Sequence, residues 1–166
     1  MYNIIKFPNS ILKEKIPIFN FNNIDIDTVQ LEKDLLETMF VNNGMGLSAN
    51  QVGLKYRVFV MGHRDNPHLG QAFYNPEVTS NTENLEDLPE GCLSFPDIYV
   101  KVKRPSAIKA RWQNKFGEWQ DGEFRGYDCK CFLHELDHLE GITFKDRVGS
   151  VKWTMANKTK KGKRND

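Results

Sequence analysis

Cys131-Phe-Leu-His-Glu-Leu-Asp-His-Leu-Glu-Gly141 contains the pattern His-Glu-x-x-His, in which two imidazoles are spaced to grip one metal ion. A helix returns to the same face after four residues, so His134 and His138 project side by side, about 6 Å apart along the axis. Gly141 supplies a stop signal, and residues 127–140 read as the helix that carries the site. Glu135 lies between the two histidines and cannot reach an ion they share. It stands instead beside the water position, where it would act as general base and then as proton donor to a leaving amine. Two histidines fill half of a tetrahedral set, so a third protein ligand has to come from elsewhere.

Cys131 is excluded by geometry. It is seven residues from His138, about 10.5 Å of helix rise, whereas a metal sits only about 3–4 Å from a cysteine Cα and about 6–7 Å from a histidine Cα. Cys131 therefore reads as a buried wall of the site, and Cys129 as packing. Cys92, in Glu90-Gly-Cys-Leu-Ser94, is left. Gly91 permits close backbone approach, and a thiolate is a soft ligand suited to zinc or iron. Cys92, His134 and His138 leave a fourth position for water, which marks a catalytic site. Asp137 is a candidate acceptor for a ligand imidazole or a partner for Arg104.

Working outward, residues 25–43 repeat apolar side chains at three- and four-residue intervals behind an Asp/Thr start, and they read as an N-terminal helix that Gly44 ends. Residues 56–62, 71–79, 98–102 and 106–112 read as strands, with turn signals at Gly117 and Asp121-Gly122 suggesting a hairpin before the last helix. A short strand is expected at 142–144. The fold class is α+β: mostly antiparallel strands around a central C-terminal helix that carries His-Glu-x-x-His, with an N-terminal helix. Residues 1–150 form one catalytic domain, and 151–166 a short basic tail, polar and aperiodic over 158–166 and read as disordered.

Composition limits the class of function. The 166 residues are 39% hydrophobic and 27% charged, as in a soluble globular domain. No apolar run approaches a membrane span and no secretory signal is evident, so no membrane partner is expected. Three cysteines are too few and too unevenly spaced for a disulfide framework, and a reducing cytosol fits. Residues 1–151 hold 17 basic and 21 acidic side chains, net −4, while 152–166 hold 6 basic and 1 acidic, net +5. Neither DNA binding nor oligomerisation is expected, and the chain reads as a monomer.

Three segments then fall into one ordered pattern: Gly44-Met-Gly-Leu-Ser-Ala-Asn-Gln51, Glu90-Gly-Cys-Leu-Ser94 and His134-Glu-Leu-Asp-His138. The trio resembles the signature motifs of peptide deformylase, and the resemblance extends from the N-terminal segment through Arg147. It implies removal of the formyl group from the N-formylmethionine of nascent peptides, with release of formate in the cytoplasm, either of a bacterium or of the host of a virus that encodes the protein. It also implies one divalent metal on Cys92, His134 and His138, typically Fe2+ with Zn2+ or Ni2+ able to substitute, and Glu135 as the acid/base. The Gln51 amide and the Leu93 backbone N–H would hold the oxyanion, and Gly46 would contact the substrate backbone. Met45, Leu88, Tyr127 and Cys131 are candidates for a methionine pocket, since soft apolar groups suit a thioether.

The sequence departs from the family pattern at Ser48, where alanine is usual, and at Leu133, where a glutamine commonly precedes the first histidine. Many bacterial members end in a substantial helix, whereas fewer than 20 residues follow Arg147 here, as in short, sometimes virus-encoded members. Lys158, Lys160, Lys161, Lys163 and Arg164 give the tail charge for a transient ribosome contact, against the plainer reading of a solvated end. Two rival functions are a zinc endopeptidase and a non-catalytic metal-stabilised binding module. The first needs a histidine or glutamate ligand downstream of the motif, and beyond His138 there is only Glu140. The second needs a closed four-ligand site.

Overall fold

The structure is a computed structural model that describes residues 1–162, the last four by backbone alone. Helix α1 spans Thr28–Val41, and its N-cap Asp27 accepts from the amides of Val29 and Gln30. Strands β1 (Gly46–Ser48), β2 (Val58–His63), β3 (Asn66–Asn81), β6 (Ala107–Gln113) and β7 (Trp119–Arg125) form one antiparallel sheet in the order β1-β2-β3-β6-β7. Strands β4 (Leu85–Cys92) and β5 (Phe95–Pro105) pair separately as a two-stranded sheet. Helix α2 spans Gly126–Leu139 and α3 spans Ser150–Gly162.

The five-stranded sheet is covered on both faces, and this is why β2 is almost continuously apolar. Successive strand residues point to opposite faces. Val58 and Val60 join Leu31, Leu35 and Met39 of α1 in one core cluster, while Phe59 and Met61 join Phe132 and Leu139 of α2 in another. Phe73 of β3 stacks on Phe59 with ring centroids 5.1 Å apart, and Phe132 meets both rings edge-on. A third cluster sets Phe95, Ile98, Val100 and Val102 of β5 against Phe144, with Trp153 and Ala156 of α3 packed on it. The α+β class, the antiparallel pairing and the central metal-motif helix are as the sequence predicts.

Several local expectations are corrected. Residues 142–144 are not a strand: Thr143 caps a 3-10 turn over Phe144–Arg147, with Asp146 accepting from the Thr143 amide and hydroxyl. Asp121-Gly122 is not a turn but the middle of β7, where Gly122 faces Ala110 and a Cβ on it would press the Trp112 ring at 3.2 Å. The left-handed residue after α1 is Asn43 (φ 57) rather than Gly44. Strand β4 was not expected, because Pro89, Gly91 and three acidic residues give it poor strand propensity. The tail is helical over Ser150–Gly162, since Trp153 and Ala156 are three residues apart and dock together on the β5 cluster. Residues 163–166, which include Lys163 and Arg164, lie outside the described residues.

Candidate metal centre and active site

Two elements far apart in sequence deliver the donor set. Cys92 ends β4, at a register shift between Gly91 and Cys92 that leads into the turn to β5. His134 and His138 lie one turn apart on the face of α2 towards that turn, ring centroids 4.9 Å apart. Cys92 Sγ is 3.3 Å from His138 Nε2, and the three ligand atoms lie within 4.8 Å of one another. A tetrahedral ion with bonds of about 2.0–2.3 Å holds its ligand atoms about 3.5 Å apart, so the trio fits one divalent cation.

The supporting bonds decide which nitrogens face the trio. His134 Nδ1 bonds Glu90 Oε2 at 2.8 Å, which leaves Nε2 of that ring for a metal. Glu90 is buried and takes both Nε and Nη2 of Arg104, whose Nη1 reaches Asp137 Oδ2 at 2.9 Å. Arg147 closes the network on Asp137. Asp137 thus pairs with Arg104, and the imidazole acceptor is Glu90, which sequence reasoning missed. The signal was present: Glu90 is two residues before Cys92, and on a strand i and i+2 share a face. Burial alone would raise the Glu90 pKa, but hydrogen bonds from His134 and Arg104 outweigh it and hold the carboxyl at about 2. Burial, with His134 and Arg104 nearby, keeps His138 well below its usual range and therefore neutral, the form that ligates metal.

Around the trio lies a cavity of about 510 Å³. Gln51 is buried on a 3-10 turn over Ala49–Val52. Its Oε1 accepts from the Ser48 amide at 3.0 Å, and this fixes the amide so that Nε2 faces Ser94 Oγ at 3.1 Å and Cys92 Sγ at 3.6 Å. Glu135 is buried, lines the cavity and accepts from Ser48 Oγ at 2.8 Å; burial raises its pKa. Gly46 lies directly against it, and a Cβ there would come within 2.6 Å of Glu135 Oε1 and 2.8 Å of Cys131 Sγ.

Leu93, Met45, Tyr127 and Cys131 also line the cavity. Leu88 does not. Lys130, which lines that stretch, sends its ammonium to the Leu88 carbonyl at 2.6 Å and the Val102 carbonyl at 3.1 Å. Cys129 is buried in the α2 core cluster. Leu133 packs against the same cluster and makes no bond to the site's polar groups. Glu140, the one downstream glutamate, is taken up by Lys15 and Arg57 at the far end of α2. This removes the ligand an endopeptidase reading would need.

A thiolate, two imidazoles, a buried carboxylate and an aimed amide in one cleft are the parts of a metal-assisted amide hydrolase. Comparison with known proteins agrees. A family model described as polypeptide deformylase matches residues 1–153. The peptide deformylase of Thermotoga neapolitana is 36% identical over 159 residues, covering 95% of this chain and 93% of that protein. Among solved structures, a peptide deformylase from Synechococcus elongatus in complex with actinonin superposes with a TM-score of 0.86 at 28% identity, over 95% of this chain and 85% of that one. A probable peptide deformylase from Synechococcus phage S-SSM7 superposes with a TM-score of 0.81 at 32% identity, over 89% of this chain and 100% of that one.

Proposed function

Since the chain belongs to the polypeptide deformylase family, we propose that Cys92, His134 and His138 hold its divalent metal and that Glu135, Gln51 and Leu93 carry the chemistry around it. The protein is a metal-dependent hydrolase that removes the N-formyl group from newly made polypeptides. The observation that carries the assignment is the convergence of three donor atoms within 4.8 Å beside Glu135.

A divalent ion on this donor set supplies Lewis acidity towards the formyl oxygen and the attacking water. Glu135 takes a proton from the water as its oxygen adds to the formyl carbon. The same carboxyl returns that proton to the amine nitrogen as the C–N bond breaks, and formate and a free amino terminus leave. The Gln51 amide and the Leu93 N–H donate to the oxygen on which negative charge develops. The substrate backbone runs past Gly46 of β1, the edge strand of the sheet, and its methionine side chain meets Met45, Tyr127 and Cys131.

Family resemblance supports Fe2+ as the native ion, and one thiolate with two imidazoles also accepts Zn2+ and Ni2+ as substitutes. The protein acts in the cytosol as a monomer, on formyl-Met nascent peptides. The basic end of the sequence, with Lys158, Lys160, Lys161, Lys163 and Arg164, gives a transient, salt-sensitive ribosome contact. Metal analysis of anaerobically purified protein tests the ion, and co-sedimentation at low and high salt, with and without residues 157–166, tests the contact. For the catalytic assignment, the iron-loaded protein is incubated with a formyl-Met peptide and formate is measured. Release by the wild type and its loss in Glu135→Gln with metal still bound supports the reading; equal release by both refutes it.

A further inference from the structure

Ser48 stands at the last position of β1, opposite Phe59 of β2, and begins the turn that carries Gln51. It is fully buried. Its backbone N–H donates to Gln51 Oε1 at 3.0 Å. Its hydroxyl lies 2.8 Å from Glu135 Oε2 and 3.0 Å from the Glu135 backbone carbonyl. One residue therefore touches both the carboxylate and the amide that flank the donor trio.

A serine hydroxyl has one proton to give. The Glu135 carbonyl lies inside α2, where the helix already supplies it with an amide donor. The carboxylate has no such donor: among the described residues, Ser48 is the only side chain that hydrogen-bonds it. The proton consequently goes to Oε2. With Oε2 tied, Oε1 is the oxygen over Gly46 and the cavity. The terminal torsion of a glutamate is broad and two-fold, so an untied carboxylate would spread over many orientations.

We propose that Ser48 is a positioning residue for the hydrolysis: its hydroxyl fixes which oxygen of Glu135 faces the reacting water, while its backbone N–H fixes the Gln51 amide that faces the oxyanion. The proton acceptor and the oxyanion donor are thereby set in register from a single residue. An alanine, the residue usual in the family, keeps the backbone N–H and the strand pairing, and so removes the first constraint but not the second; the hydroxyl is a constraint particular to this chain, whose Glu135 has no other side-chain donor among the described residues. The proposal rests on the assignment of Glu135 as the acid/base.

The test compares Ser48→Ala with wild type and Glu135→Gln in steady-state deformylation of a formyl-Met peptide, with metal content and melting temperature measured on the same preparations. The expected result for Ser48→Ala is a kcat about tenfold lower, equivalent to about 1.4 kcal/mol, with KM within about twofold and metal content unchanged. A Ser48→Ala kcat within about twofold of wild type, with Glu135→Gln inactive, overturns the proposal and leaves the Glu135 assignment standing. A loss of metal or of melting temperature that accounts for the whole rate change also overturns it, because Ser48 then only supports the fold. An active Glu135→Gln removes the assignment itself.

Discussion

Gly46→Ala tests whether the active-site carboxylate is held by contact from both sides. Gly46 pairs with Met61 in β1 and has no left-handed φ, so its glycine is required by space rather than by conformation. An added Cβ would lie 2.6 Å from Glu135 Oε1, 2.7 Å from Glu135 Cγ and 2.8 Å from Cys131 Sγ. Restoring an ordinary contact of 3.4 Å needs a retreat of about 0.8 Å by the carboxylate, and the Ser48 hydroxyl blocks one direction of that retreat. Overpacking of this kind costs about 1–3 kcal/mol of stability. A misplacement near 1 Å costs about 10²-fold in rate. Gly46→Ala is therefore expected to fold, to bind metal as wild type does, and to lose about 10- to 100-fold in kcat/KM for a formyl-Met peptide, read from formate release. A folded, metal-replete variant with kcat/KM within about threefold of wild type would refute the reasoning, since the carboxylate would then not need the space Gly46 leaves.

Arg104→Met leaves two buried carboxylates, Glu90 and Asp137, without their shared cation; a loss of about 3–5 kcal/mol and of roughly 10 °C in melting temperature is expected by calorimetry. Acid should act through Glu90 in the metal-free protein. Its folded-state pKa is lowered from 4.5 to about 2, so its contribution is present above the unfolded value and is lost as pH falls through that window. Urea midpoints should drop more steeply from pH 5 to pH 2 for wild type than for Glu90→Gln, and parallel curves would remove Glu90 as the cause. Trp153→Ala should raise amide exchange along α3, whose hold on β5 depends on that ring. It should leave formate release unchanged, since among the described residues none of α3 lines the cavity.

The helix that carries the metal motif was legible because a 3.6-residue period, two histidines and a closing glycine all point the same way. The α1 stripe was legible because its apolar residues match the helical period, and β2 because it is a short, continuous apolar run rich in β-branched and aromatic residues. What the sequence hid was what depends on partners. Strand β4 has almost no intrinsic strand character and exists because β5 pairs with it along its whole length. Glu90 looks like one more surface acid until that pairing buries it beneath Arg104. Leu88 was expected on the cavity wall by residue type, but the wall there is Lys130, a lysine that composition would assign to solvent. At the tail, net charge outweighed a single tryptophan in the reading, whereas in the fold the tryptophan finds Phe95 and Phe144 and the helix follows.

The donor set is divided between a hairpin and a helix, and hydrogen-bonded ion pairs that need no metal also span the gap between them. Glu90 to His134 and Arg104 to Asp137 tie the same two elements that Cys92, His134 and His138 would join. A stripped site should therefore keep its shape instead of collapsing, so that little ordering remains to oppose capture. Reloading should then be quick and reversible, and the identity of the resident ion should follow the supply in the surroundings more than the history of folding.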